Sequence, residues 1–175
     1  MRDYQKMVEE AGVGRTAQLC QDALIEMLTE LFRGKKYNGQ QGRKELKIFK
    51  QDLPVPEEID ADADTDAAEA PYIVVRMSGG EIKNEEEPQT VSFALIICTY
   101  DEGKLRDGWQ DVTNIKEDII QRVCTKPYFG GAFTVLKPIA WAMQNDDTYP
   151  YYFGACNLTC TAPARTQDVE LRDLV

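Results

Sequence analysis

Carboxylates and thiols are the groups with the most chemical reach in this sequence: 30 Asp and Glu and five cysteines, against no histidine at all. Without histidine there is no Ser-His-Asp or Cys-His nucleophile, no His-containing zinc site and no imidazole pH switch. Serine occurs only at Ser78 and Ser92, and neither lies in a strand–turn–helix elbow that would expose it as a nucleophile. A reactive thiol needs a basic neighbour or a helix N-terminus to favour the thiolate. Cys124 has Lys126 close by but falls at the C-terminal end of a predicted helix, where the dipole opposes negative charge.

Metal and phosphate chemistry fare no better. Cys156 and Cys160 lie in a predicted strand on which Cys156, Leu158 and Cys160 share one face, so core packing accounts for them. Asp60-x-Asp62-x-Asp64 opens like a calcium loop, but Thr65 stands where glycine is required and Pro71 where the closing glutamate belongs. Gly79-Gly80 has no lysine or hydroxyl residue behind it to make a phosphate cradle. The expectation is a non-enzymatic protein with no cofactor and no metal site.

The elements that would position any interface come from periodicity. In the 175-residue chain, Cys20, Leu24, Met27, Leu28 and Leu31 form one stripe of a helix over Thr16–Arg33, with Gly34 at its C-terminal cap. Residues 3–10 suggest a further helical turn. The stretch 33–50 is basic; its glycines predict a loop, then a half-exposed edge strand in which Leu46 and Ile48 alternate with lysines. Residues 54–70 read as an acidic linker or long surface loop, since they offer almost nothing to bury. Tyr72–Met77 is a strand, Ser78–Glu81 a turn, and Thr90–Tyr100 a long strand with Val91, Phe93, Leu95 and Ile97 on one face. Asp107 and Gln110 predict a capping box for a second helix, with Val112, Ile119, Ile120 and Val123 turned inward. Lys116, Glu117, Asp118, Gln121 and Arg122 are placed on its water-facing side. Ala132–Gln144, interrupted by Pro138, reads as an edge or bulged strand, and Tyr151–Ala162 as the last one. A short charged arm follows Pro163.

The fold class is therefore α+β: a single domain over 1–175, with helices packed on one face of a roughly four-stranded antiparallel or mixed sheet. A formal charge of −10 argues against groove-reading of duplex DNA, which calls for a basic face. The longest apolar run, Phe93–Cys98, is strand-sized and predicts no membrane span; the N-terminal residues carry no signal-peptide pattern, so a cytoplasmic chain is expected. Aromatics crowd the C-terminal half: Tyr100, Trp109, Tyr128, Phe129, Trp141, Tyr149, Tyr151, Tyr152 and Phe153. Tyr152 alternates with Tyr151 and Phe153, so aromatic rings on both sheet faces suggest contact with another subunit. The charged loop Gly80–Pro88, carrying Glu81, Glu85, Glu86 and Glu87, is the second candidate for a partner-facing element; a solvated turn is its simpler account.

From Pro71 to Pro163 the chain resembles small tail proteins of long-tailed bacteriophages and prophages, of the tail terminator (tail completion) type. The resemblance rests on Pro71-Tyr-Ile-Val-Val-Arg76, Ile96-Ile-Cys-Thr-Tyr-Asp101, Trp109-Gln-Asp-Val-Thr-Asn-Ile115, Ile139-Ala-Trp-Ala142 and Tyr149-Pro-Tyr-Tyr-Phe-Gly154, in that order. It covers about half of the chain. It implies a small α+β protein that forms a hexameric ring on the tail tube, ends tube polymerisation and docks onto a head connector or neck protein. Such a protein assembles in the host cytoplasm, ends in the virion tail, and reads no DNA sequence and enters no membrane. Two other readings stay open: a different neck or head–tail joining protein, and a cytoplasmic acidic adaptor that binds a basic partner through residues 57–69.

Overall fold

Helix α1, Thr16–Phe32, forms where the apolar stripe was expected, and buries Leu19, Cys20, Ala23, Leu24, Met27, Leu28 and Phe32. Gly34 ends it with φ at +75°, a left-handed position open to glycine. The computed structural model describes residues 16–54 and 69–164. The expected N-terminal turn, nearly all of the acidic segment and the C-terminal arm lie outside those residues.

The basic stretch holds more regular structure than its glycines suggest. β1 (Lys36–Gly39) and β2 (Gly42–Glu45) pair as a hairpin about Gln40 and Gln41, in place of the predicted loop. Tyr37 anchors the hairpin by packing edge-to-face on Phe32, with ring centroids 6.1 Å apart. β3, Lys47–Lys50, then runs parallel to β4, Tyr72–Glu81.

β4 passes straight through Ser78-Gly79-Gly80. The predicted turn there is a register shift between Met77 and Gly79, after which Gly79, Gly80 and Glu81 still pair with Ser92, Val91 and Thr90. The reversal falls later, at 82–88, before β5 (Gln89–Tyr100). Helix α2, Gly108–Thr125, leads to β6 (Tyr128–Phe129), β7 (Phe133–Met143) and β8 (Tyr151–Ala162). The expected capping box does not form: Asp107 occupies the cap position, but its side chain caps no backbone N–H.

The architecture is α+β, with a larger sheet than expected. Six strands lie in the order β3-β4-β5-β8-β7-β6, and β1-β2 form a separate pair. The count rises from four because β3 and the two-residue β6 are too short to show a period of their own. Both helices share one core with Ile73, Val75, Phe93, Leu95, Ile97, Cys156, Leu158 and Cys160. Among the described residues the opposite face carries a smaller apolar cluster, Ala70, Tyr72, Val74 and Cys98, with Phe49, Tyr100 and Phe153 packed against it.

Candidate functional site

β7 is bonded to β8 on one side, and on the other only Phe133 and Thr134 are matched, by β6. The Val135 N–H donates to the Pro127 carbonyl on that side as well, at 3.0 Å, and beyond Val135 the strand is a sheet edge among the described residues. Pro138 interrupts it: the register with β8 shifts between Leu136 and Ala140, as a residue without an N–H in a strand requires. From Ala140 the ladder resumes, pairing Ala140, Trp141, Ala142 and Met143 with Asn157, Cys156, Ala155 and Gly154. Alternation then places Trp141 and Met143 on the helix side and the two alanines on the open face.

Trp141 is 53% exposed, yet its ring is held in place. Lys116 Nζ lies 3.6 Å from the ring centroid, a close cation–π contact, and is 2.6 Å from Glu117 Oε1. Lys116 is 3% exposed, which corrects its expected place on the wet side of α2. The signal was present: Lys116 follows Val112 by four residues and precedes Ile119 by three, so it sits on the apolar stripe. Its aliphatic stem fills the core side while the ammonium reaches the ring and the carboxylate.

Trp109, at the start of α2, and Tyr128, in β6, are 50% and 69% exposed. Both tryptophans of the chain thus stand half in water along the α2–β7 flank. At its Met143 end the flank opens into a cleft of about 380 Å³ lined by Arg106, Trp109, Asp147, Tyr149, Tyr151 and Tyr152, among others. The Arg106 guanidinium pairs with Asp147 and lies 5.1 Å from the Tyr149 ring centroid. Asp147 beside it, and the nearby Tyr152, hold Arg106 above its ordinary range; Arg106 in turn holds the Asp147 carboxyl below its own. The Tyr152 hydroxyl is buried beside Arg106 and has no partner in full hydrogen-bonding geometry.

The residues singled out from sequence are not brought together. Glu81 pairs with Thr90 and Tyr152 with Thr99, nine positions further along β5, which separates them by roughly 30 Å. Glu85, Glu86 and Glu87 are exposed in the 82–88 loop. Asn84 Oδ1 accepts from the N–H groups of Glu86 (3.0 Å) and Glu87 (2.7 Å), an Asx turn within the loop. Tyr152 faces the helices, as alternation required, but α2 itself covers it: a Cβ on Gly108 would lie 2.4 Å from the Tyr152 ring. Tyr151 and Phe153 face the other way and stack with centroids 6.5 Å apart.

The cysteines behave as small apolar residues. Cys20, Cys98, Cys156 and Cys160 are buried free thiols and Cys124 is exposed. The neighbouring Cys160 thiol and burial push Cys20 well above its ordinary range, and burial takes Cys98 to about 12 and Cys156 to about 11, with Lys116 partly offsetting the last. Among the described residues no three Cys, Asp or Glu side chains come together as a metal would need. No described helix is long and apolar enough to cross a membrane. No protein-family model matches the chain, and no curated protein is similar to it in sequence.

Proposed function

We propose that this chain is a non-enzymatic structural subunit of a phage tail, of the tail terminator type. In this reading copies of the chain form a ring on the last ring of the tail tube, end its polymerisation and offer the surface to which the head connector docks. Its partners are further copies of itself, the tail tube protein and the connector or neck protein. It works in the host cytoplasm during assembly and in the virion tail afterwards.

The observation that carries the reading is the aromatic flank. Trp109 and Trp141 stand half exposed on the helix side of the β7 edge, and Tyr128 is exposed on the opposite face beside the start of that strand; among the described residues no strand covers the edge beyond Val135. Large apolar groups gathered in this way mark an association surface. Tryptophan and tyrosine at the centre of such a surface carry most of its binding free energy. The resemblance from Pro71 to Pro163 supplies the family, and the flank supplies a physical reason for a partner. A net charge of −10 suits a ring through which DNA must pass without sticking.

The test is electron microscopy of lysates of the encoding phage or prophage with this gene deleted. Overlong, irregular tubes beside unjoined filled heads are the expected result. Tails of normal length that fail to join heads would move the protein to the head side of the neck. Intact, infectious particles would overturn the phage-tail reading altogether.

A further inference from the structure

The Ile139–Met143 edge carries what strand addition needs. Among the described residues no strand lies beyond it, so its outward backbone groups are open to a partner strand. Pro138 cannot donate and closes off pairing on one side, which limits the addition to Ile139, Ala140, Trp141, Ala142 and Met143. Ala140 and Ala142 are exposed and present no bulk on the open face. On the helix side Lys116 holds the Trp141 ring in one orientation, so little side-chain freedom remains to be lost on contact.

The charges beside this edge are arranged end to end. Lys126 and Lys137 lie exposed near its β6 end. Asp107, Asp146 and Asp147 lie exposed near its Met143 end, with Arg106 as their close cation. Two such flanks laid antiparallel put the lysine end of each over the aspartate end of the other. A flank complementary to itself by a half-turn is the mark of an isologous contact.

We propose that β7 pairs antiparallel with β7 of a second copy of this chain across a two-fold axis centred on Trp141. Trp141 then meets Trp141, Ala140 meets Ala142 and Ile139 meets Met143, and two six-stranded sheets join into one. This goes beyond the ring reading, because neighbours in a head-to-tail ring meet through unlike surfaces.

The experiment measures the mass of the full chain in solution over a range of concentrations, for wild type and Ala140→Asp. It is joined by a disulfide test on mixed chains carrying Ala140→Cys or Ala142→Cys, both in a Cys124→Ser background. Wild type is expected to dimerise, and Ala140→Asp to weaken the dimer about 100-fold, since it buries a carboxylate in each half of the joined ladder and puts the two on one face, diagonally across the axis. Directly opposed residues lie about 4.5–5.5 Å apart at Cα, within disulfide reach, so the mixed 140–142 bond should form ahead of 140–140. The cysteine test keeps the proposal open to refutation if the aspartate variant misfolds. A monomer at every concentration, or a dimer that lacks the mixed bond, overturns the pairing. A ring whose mass Ala140→Asp leaves unchanged overturns it too, while the ring reading stands. A dimer lost in Ala140→Asp, with normal tails in the gene deletion, keeps the pairing and removes the phage-tail reading.

Discussion

The two edges of the six-stranded sheet are treated in opposite ways. β3, at one end, is four residues long and begins and ends on lysine. Lys50 is tied to Asp22 of α1 at 2.7 Å, and Phe49 packs edge-to-face on Tyr72, with centroids 6.0 Å apart. Short length and charge are the usual devices by which an edge is kept from pairing. β7, at the other end, is eleven residues long and, among the described residues, covered only over its first three, by β6 and Pro127. Its lysine and proline stand together at 137–138, and the five residues that follow carry no charge. One edge is guarded and the other is shaped for contact, so exposure by itself is a poor guide to where a partner sits.

The largest effect expected on this contrast comes from Lys116. Lys116→Ala removes a buried aliphatic stem and the cation beneath Trp141, and should cost about 2–4 kcal/mol in chemical denaturation. Lys116→Met keeps the stem, and should stay within about 1.5 kcal/mol of wild type. Equal losses in the two variants would mean that charge, and not packing, holds the β7 edge in place.

Next in size is a pH effect beneath the same edge. Trp141 is paired with Cys156 of β8, whose thiol burial pushes from its ordinary 9.0 to about 11. Between those values the folded chain keeps a proton that the unfolded chain has released. Stability from this group is therefore whole below pH 9 and is lost as pH rises through 11, by about 2–3 kcal/mol. Cys156→Ala should flatten that part of the urea-denaturation profile by this amount, leaving the fall due to the other raised groups: Cys98 and Tyr37, both raised to about 12, and Cys20 and Tyr72, raised further. An unchanged profile would place Cys156 in contact with water.

Gly154 sets how closely α2 approaches the β7–β8 hairpin. A Cβ there would lie 2.7 Å from Val112 Cγ1 and 3.2 Å from Met143 Sδ. Gly154→Ala should cost about 1–2 kcal/mol through overpacking, and should disturb Met143 at the end of the free edge. A melting temperature equal to that of wild type would show that the helix can shift without loss.

Long periodic elements were legible in the residues themselves. Thr16–Phe32, Gln89–Tyr100 and Tyr151–Ala162 form where the helical stripe and the strand alternation lie. Pro138 announced an irregular edge strand, which β7 is. What stayed hidden was set by tertiary context. Gly79-Gly80 reads as a turn, but it remains in β4 because Val91 and Ser92 continue the ladder opposite it. Lys116 reads as a surface charge because its type suggests water, whereas its position on the stripe and the ring of Trp141, 25 residues later, bury it. Glu81 and Tyr152 fall at opposite ends of β5, a separation that no local pattern reveals. The flank escaped notice for the same reason: Trp109 and Trp141 come from α2 and β7, which only the tertiary fold brings to one side of the sheet.

The smallest expected effect belongs to the guarded edge, and it tests the comparison from the other side. The Lys50–Asp22 pair is close to half exposed at both ends, and such pairs contribute from nothing to about 1 kcal/mol. Lys50→Val replaces it with a β-branched residue suited to a strand, so stability should change by no more than about 0.5 kcal/mol. Its consequence should lie in association. With one of its two lysines gone, β3 is an edge of Ile48, Phe49 and Val behind a single lysine, and the variant should self-associate at concentrations where wild type stays at its resting mass. That added association should survive Ala140→Asp, because it uses the opposite side of the sheet. If Lys50→Val instead keeps the wild-type mass, the lysines are not what closes the β3 edge. The difference between the two edges would then rest on strand length and on Trp141 alone.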